Sequence, residues 1–210
     1  MSRPAVEGEV DRVDPESPQA NAVVEAATTC FDRWGVERTR MGDIARAAGV
    51  SRPTLYRYFP TKEALIVEVM VRHIRIQNER LRARVPLDGP ARDVLNRALL
   101  LLIRDSRPED LPGSLLRTES VDRLAQRTAE SPEIFAAMSE FWHDKLSYAE
   151  QRGELRAGTD LQEAVRWLTF VVFVCLALPE AVPSQEHLDR YLDRFVVEAL
   201  VDPPLGRPDV

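Results

Sequence analysis

The sequence predicts an all-α protein with a small N-terminal domain and a larger C-terminal one. Almost every segment places its apolar residues at helical spacing, and no segment shows the sustained alternation of a half-buried strand. Prolines and glycines divide the 210 residues into segments of helical length. Together these observations predict about nine helices in a chain that is long enough for one large domain, or for a small domain joined to a larger one.

Each predicted helix follows from its apolar spacing and from the residues that cap or stop it. In chain order, the predicted bounds are 20–34, 40–48, 51–59, 61–84, 91–105, 115–130, 132–152, 161–178 and 185–201. Gly35 stops the first helix, Pro60 halts the third and Pro86 follows the fourth. Thr39 and Thr61 are the expected N-caps of the second and fourth helices.

Charge is distributed unevenly along a chain whose net charge is −6. Residues 20–84 carry +5, whereas residues 1–19 carry −3 and residues 85–210 carry −8. A basic segment attached to an acidic remainder indicates that the two parts of the chain have different functions, which the net charge of the whole chain does not reveal. The flanking segments 1–19 and 202–210 are predicted to be disordered tails, the first of them acidic and rich in proline.

Several other classes of protein are disfavoured. Two cysteines within apolar helical patterns favour a reducing compartment, hence a cytoplasmic location. The run from Trp167 to Leu178 is 12 residues long, whereas a membrane span needs about 20. No phosphate-binding loop, nucleophile elbow or HExxH motif is present, and the three histidines show no metal spacing. We therefore expect no membrane span, no enzyme activity, no cofactor and no metal.

The segment from 41 to 58 has the spacing of two helices joined by a tight turn. Ala45 is small where two helices must cross closely, and Gly49 stands where the chain needs a positive φ to turn. Val50 fills the corner, and Leu55 lies on the inner side of the following helix. This spacing indicates a helix-turn-helix, in which the second helix lies in the major groove of DNA.

The outward face of the third predicted helix is cationic and rich in hydroxyl groups. Its outward side chains, with the first residue of the next helix, are Arg52, Thr54, Tyr56, Arg57 and Lys62. Arginine can pair with guanine through two hydrogen bonds, and Thr and Tyr hydroxyls can donate to phosphate. Residues 38–62 hold six basic side chains against one acid. The N-terminus of the second helix, at Thr39 and Arg40, offers free N–H groups to a further phosphate.

The stretch TRMGDIARAAGVSRPTLYRYFPTKEAL, residues 39–65, resembles the N-terminal helix-turn-helix of the TetR family of bacterial transcriptional regulators. The resemblance covers roughly residues 20–66 and implies that this region is the DNA-binding domain. It further implies that residues 67–201 bind a small molecule and form a homodimer, with the fourth helix as the link. The expected function is a ligand-responsive regulator, most commonly a repressor that a small molecule releases from a palindromic DNA operator.

The resemblance also implies which residues contact DNA. The matching positions are Thr39, Ser51, Arg52, Thr54, Tyr56, Tyr58 and Lys62, and most of them would contact phosphate. Pro53 stands where Gly or Ala is common in the family, and this substitution restricts the base contacts that can be made at that position. Gly42 is a second departure from the family pattern, because glycine is a weak helix former.

In the C-terminal part the resemblance rests on helix count and on RGELRAGTD (152–160), which is similar to the connection between helices 7 and 8 of many family members. The last two helices would then form the dimer interface, through Phe173, Leu188, Tyr191, Leu192 and Phe195. The residues expected to line a ligand pocket are Leu116, Met138, Phe141, Trp142, Trp167 and Phe170. Ordinary core packing is the alternative for both sets.

Two further alternatives remain open. His73, in the fourth helix, would either sense pH or ligand or serve a packing role. The whole chain could instead be a helical ligand-binding or scaffold protein without sequence-specific DNA binding, and the basic face of the third helix argues against this.

Overall fold

A computed structural model describes residues 17–105, 130–177 and 184–202. In this part of the chain the helices are α1 (Pro18–Trp34), α2 (Met41–Ala47), α3 (Arg52–Tyr58), α4 (Lys62–Arg84), α5 (Ala91–Asp105), α6 (Pro132–Gln151), α7 (Leu161–Ala177) and α8 (Gln185–Leu192). A π-helical turn, Asp193–Val197, continues α8. The only β pairing among the described residues is an isolated antiparallel bridge between Leu155 and Val201, so the all-α prediction is confirmed.

Most predicted helix ends lie within two residues of the described ones. The exception is the last helix, predicted over 185–201, whose regular α-helical part ends at Leu192. The helix predicted over 115–130 and both terminal tails lie outside the described residues, apart from a few residues at their edges. None of the described helices is both long and apolar enough to cross a membrane.

Contacts divide the chain into an N-terminal unit, residues 1–69, and a C-terminal unit, residues 70–210, and α4 contributes to both. In the N-terminal unit α1, α2 and α3 pack against one another. The core side chains that are completely buried include Val23, Ala27, Phe31, Ile44 and Leu55. Gly49, at φ 68°, turns the chain between α2 and α3, a conformation that strains any residue with a Cβ atom.

The C-terminal unit has one hydrophobic core, to which α5, α6, α7 and α8 all contribute. Helices α6 and α7 form a hairpin through the loop 152–160. The end of the described chain pairs with this loop, because the Arg156 N–H donates to the Leu200 carbonyl at 2.9 Å and the Asp202 N–H donates to the Glu154 carbonyl at 3.1 Å. Arg92 joins α5 to the π turn through two bonds to Asp193, at 2.6 and 2.7 Å.

Candidate nucleic-acid interface

Helix α3 is positioned by a cap at its start and by an apolar anchor in its middle. The Ser51 side chain accepts a hydrogen bond from the Thr54 N–H at 3.2 Å, so Ser51 is the N-cap, as predicted. Pro53 falls in the first turn, where its missing N–H costs nothing. Leu55 is completely buried. The helix is therefore fixed by one face, and the opposite face is left outside.

The outward face carries the cationic and phenolic side chains that the sequence predicted. Ser51, Arg52, Pro53, Tyr56 and Arg57 are exposed, Tyr56 to 47%. Thr54, Tyr58 and Lys62 are half-buried. The exposure of Arg52 and Tyr56 matters most, because a guanidinium and a phenol can reach a DNA groove only from the surface.

Two hydrogen bonds prepare the hydroxyl groups of this face. Ser51 Oγ and Thr54 Oγ1 lie 2.7 Å apart, so one of the two hydroxyls donates to the other. The remaining hydroxyl proton of the pair is left for an outside acceptor such as a phosphate oxygen. The Tyr58 hydroxyl donates to Gln19 Oε1 at 2.8 Å and thereby ties the end of α3 to the start of α1.

Thr39 does not join this face. Its side chain is 1% exposed, and its hydroxyl lies 2.7 Å from the Gly35 carbonyl oxygen and 3.2 Å from that of Cys30. The N-cap of α2 is Arg40, which is exposed and makes no side-chain capping bond. The prediction that Thr39 caps α2 is therefore wrong, because its hydroxyl satisfies carbonyl groups at the end of α1 instead.

Gly42 and Arg52 fit together across the helix-turn-helix. A Cβ atom at position 42 would overlap Nη2 of Arg52 and lie 2.8 Å from its Cζ. The guanidinium of Arg52 therefore occupies the space that a side chain at position 42 would fill. Sequence reasoning noted Gly42 only as a weak helix former, since nothing local in the sequence links it to a residue ten positions later.

The single acid of the segment 38–62 is engaged by a neighbouring base. Asp43 pairs with Arg46 at 3.4 Å, one helical turn further on. This pair is exposed and weak, but it offsets the negative charge within the segment. The arginines at positions 40, 52 and 57, all exposed, then leave the face with a net positive charge.

The side chains expected to line a ligand pocket do not come together. Phe141 and Trp142 of α6 are buried and contact each other edge to face at 5.2 Å, with Met138 half-buried on the same helix. Trp167 and Phe170 of α7 stack at 6.0 Å on the surface, 42% and 56% exposed. Helix α7 is apolar nearly all round, so its sequence could not indicate which aromatic residues face inward. Leu116 lies outside the described residues.

The five residues expected at a dimer interface also divide into two sets. Leu188 and Leu192 belong to the core of the C-terminal unit. Tyr191 and Phe195 are 47% and 60% exposed and contact each other at 5.1 Å, and Phe173 is half-buried. Burial of the two leucines shows that the apolar stripe on this helix serves the protomer itself.

The fold and the site define a helix-turn-helix DNA-binding protein, and the comparisons with known proteins agree. Residues 23–69 match the family model of bacterial regulatory proteins of the tetR family. An uncharacterized HTH-type transcriptional regulator from Mycobacterium tuberculosis is 30% identical over 172 residues, which are 81% of this chain and 84% of that protein. The chain belongs to the TetR family and is a DNA-binding transcriptional regulator.

Two solved structures share the fold. RolR, solved in complex with resorcinol, is 16% identical, with a TM-score of 0.66 over 87% of each chain. The TetR family repressor AlkX from Dietzia sp. strain DQ12-45-1b is 20% identical, with a TM-score of 0.61 over 89% of this chain and 97% of that chain. At these identities the likeness concerns the arrangement of helices alone.

Proposed function

We propose that this regulator binds a palindromic operator as a homodimer, represses transcription there and leaves the operator when a small molecule occupies its C-terminal unit. The observation that best supports this proposal is that the buried Leu55 anchors α3 while Arg52 and Tyr56 of the same helix are exposed. One short helix reads few bases, so two copies on successive major grooves, about 34–36 Å apart, are needed for specificity. Such a protein works in the cytoplasm and catalyses no reaction.

In this proposal the two units have different tasks. The N-terminal unit reads DNA, and the segment 67–201 senses the ligand and dimerises. Because α4 contributes to both units, it is the segment through which occupancy of one could change the affinity of the other. Linkage requires that DNA weakens ligand binding by the same factor, about 5–150-fold for a typical coupling.

The exposed aromatic pairs support a homodimer. Trp167 with Phe170 and Tyr191 with Phe195 expose large apolar side chains on α7 and at the end of α8. Aromatic residues are enriched at the cores of protein–protein interfaces, and an isologous interface buries the same residues of both copies.

Fluorescence anisotropy with inverted repeats from the DNA that flanks the gene tests the DNA-binding part. Arg52→Ala together with Tyr56→Ala should lower the affinity at least a hundredfold without a loss of helicity, since both side chains are exposed. Arg104→Ala, which removes an exposed charge from α5, is the matched control and should change little. Wild-type affinity in the double variant would favour the scaffold alternative instead.

Light scattering tests the dimer. Phe195→Asp should convert the protein to a monomer and lower operator affinity, because a charge would be buried at the interface. Leu87→Asp, which places the same charge at an exposed leucine in the loop between α4 and α5, is the matched control. A monomeric wild-type protein at micromolar concentration would contradict the proposal.

A further inference from the structure

Lys145 is a buried lysine in the middle of the C-terminal unit. It is 1% exposed and lies on the inward face of α6, and its neighbours on that face include Phe141, Trp142 and Ala149, all members of the hydrophobic core. Lysine is almost never fully buried unless it is paired. A position of this kind therefore needs an explanation.

The ammonium group has no hydrogen-bonding or ion-pair partner among the described residues. Nζ lies over the ring of Phe141, 3.9 Å from its centroid. Asp144, the adjacent acid, is engaged with Arg82, whose Nε lies 2.7 Å from Oδ2. A ring face attracts a cation but offers it no hydrogen-bond acceptor with a lone pair, so the three N–H groups of the ammonium remain available.

Burial lowers the pKa of Lys145 to about 8, and the positive charge of Arg82 lowers it further while Asp144 acts in the opposite sense. A lysine with this pKa is still mainly protonated at neutral pH. The unit therefore holds a positive charge in its interior that a bound anion would neutralise.

A second polar group without a partner faces the interior from α7. Thr169 is 4% exposed, and its hydroxyl has no hydrogen-bond partner in the part of the chain that the structure describes. Helices α6 and α7 form a hairpin, in which Lys145 precedes the end of α6 by six residues and Thr169 follows the start of α7 by eight. At 1.5 Å per residue these positions are about 9 and 12 Å from the turn, hence at nearly the same level.

We propose that Lys145 is the counter-ion for the carboxylate of a small organic acid bound within the C-terminal unit, with the Thr169 hydroxyl as a second donor. One cation and one hydroxyl suit a monocarboxylate, whereas a phosphate usually requires several cations or a bidentate arginine. The surrounding aromatic and aliphatic side chains suit an apolar body. This inference rests on the proposed function, because it names the chemical class of the effector.

The test measures ligand binding to the full-length protein without DNA. Benzoate, phenylacetate and octanoate are each compared with their primary amides by thermal shift and calorimetry at pH 7. At least one acid should raise Tm and bind tenfold or more tightly than its amide, because only the acid can pair with the ammonium. Lys145→Met, which keeps length and removes charge, should abolish the preference.

Arg166→Met is the matched control. Arg166 is also a cation over an aromatic ring, at 6.0 Å from the centroid of Phe135, but it is exposed, so the preference for acids should survive its loss. Failure of all three acids to bind, equal binding of acid and amide, or an unchanged preference in Lys145→Met would overturn the proposal.

A direct observation of Lys145 keeps the test independent of how its variant folds. In wild-type protein with labelled lysine, the acid that binds should raise the pKa of Lys145 as read from its 13Cε chemical shift, and an unchanged pKa would overturn the proposal. The two proposals fail separately. Binding of an acid through Lys145 with unchanged operator affinity would refute regulation by that ligand and leave the anion site intact.

Discussion

The N-terminal and C-terminal units differ in how completely their buried polar groups are hydrogen-bonded, although Asn78 and Ser139 of the C-terminal unit do bond to backbone carbonyls. In the N-terminal unit the buried hydroxyl of Thr39 is bonded to backbone carbonyls, and the charged side chains of α3 point outward. In the C-terminal unit Thr169 Oγ1, Asn96 Oδ1 and His73 Nε2 are buried without a hydrogen-bond partner among the described residues, and the ammonium of the buried Lys145 lies over the Phe141 ring.

This difference corresponds to two ways in which a protein can be prepared to bind a partner, one for DNA and one for a small ligand. A DNA-reading helix must stand on a fully satisfied core, because its outward face is specific only if its orientation is fixed. A sensor gains from groups whose bonds are incomplete until a ligand arrives, since only those groups distinguish the occupied state from the empty one. In the proposed function, the free energy lost by leaving these groups unbonded in the C-terminal unit is recovered when a ligand bonds to them.

The largest effect should come from the core of the N-terminal unit. Phe31→Ala, at a completely buried position, should destabilise that unit by about 3–5 kcal/mol through lost burial and a residual cavity. Operator binding should disappear while the oligomeric state and any ligand binding of the C-terminal unit persist. Circular dichroism melts would show an early transition for the N-terminal unit, and a single shifted transition would indicate that the two units unfold together.

The sharpest test of the comparison is a pair of identical substitutions. Thr39→Val removes a bonded hydroxyl and should cost about 1–2 kcal/mol, whereas Thr169→Val removes a hydroxyl without a partner and should be neutral or stabilising by up to about 1 kcal/mol. Urea unfolding measures both. If Thr169→Val destabilised as much as Thr39→Val, the hydroxyl of Thr169 would have a partner in the folded protein.

Acid should weaken the C-terminal unit through His73. Burial lowers the pKa of His73 to about 4 from its ordinary 6.5, so the unfolded chain binds the proton first as pH falls. Stability is then complete above pH 6.5 and declines towards pH 4. The loss between pH 7 and 5 should be on the order of 1 kcal/mol after allowance for solvent screening.

Urea midpoints at both pH values measure this effect. His73→Gln should have a flatter profile between pH 7 and 5, because glutamine does not titrate. Identical profiles in wild type and variant would mean that other groups cause the acid sensitivity.

The smallest effect should be at Gly42. Gly42→Ala should stabilise α2 by about 1 kcal/mol, since alanine is the better helix former, yet its Cβ must displace the Arg52 guanidinium. We expect a higher Tm together with a several-fold change in operator affinity and altered base preference beside α3. A rise in Tm with unchanged DNA binding would show that Arg52 reaches DNA from another position.

Local signals in the sequence predicted most of the N-terminal unit. The caps at Ser51 and Thr61 and the positive φ of Gly49 depend on a few adjacent residues, and all three are present. The N-cap of α2 was assigned to Thr39 because a threonine just before a helix is a common N-cap, and the sequence does not show in which direction its side chain points. Its burial depends on α1, which sequence spacing alone does not place.

The C-terminal unit contains the features that sequence reasoning could not supply. Lys145 follows His143 and Asp144, and a lysine next to two polar residues is normally predicted to be exposed. Trp167 and Phe170 read as interior because α7 is apolar on every side. In both cases the face of the helix that turns inward is chosen by the packing of distant helices, which a single sequence does not encode in its local pattern.

The pairing of Leu200–Asp202 with the loop 152–160 has a consequence for synthesis on the ribosome. Every contact within the N-terminal unit joins residues that leave the exit tunnel early, so that unit can fold while translation continues. The hairpin of α6 and α7 receives its last backbone bonds only when residue 202 has been added. A nascent chain would therefore have a folded DNA-binding unit before the backbone bonds of its C-terminal unit are complete.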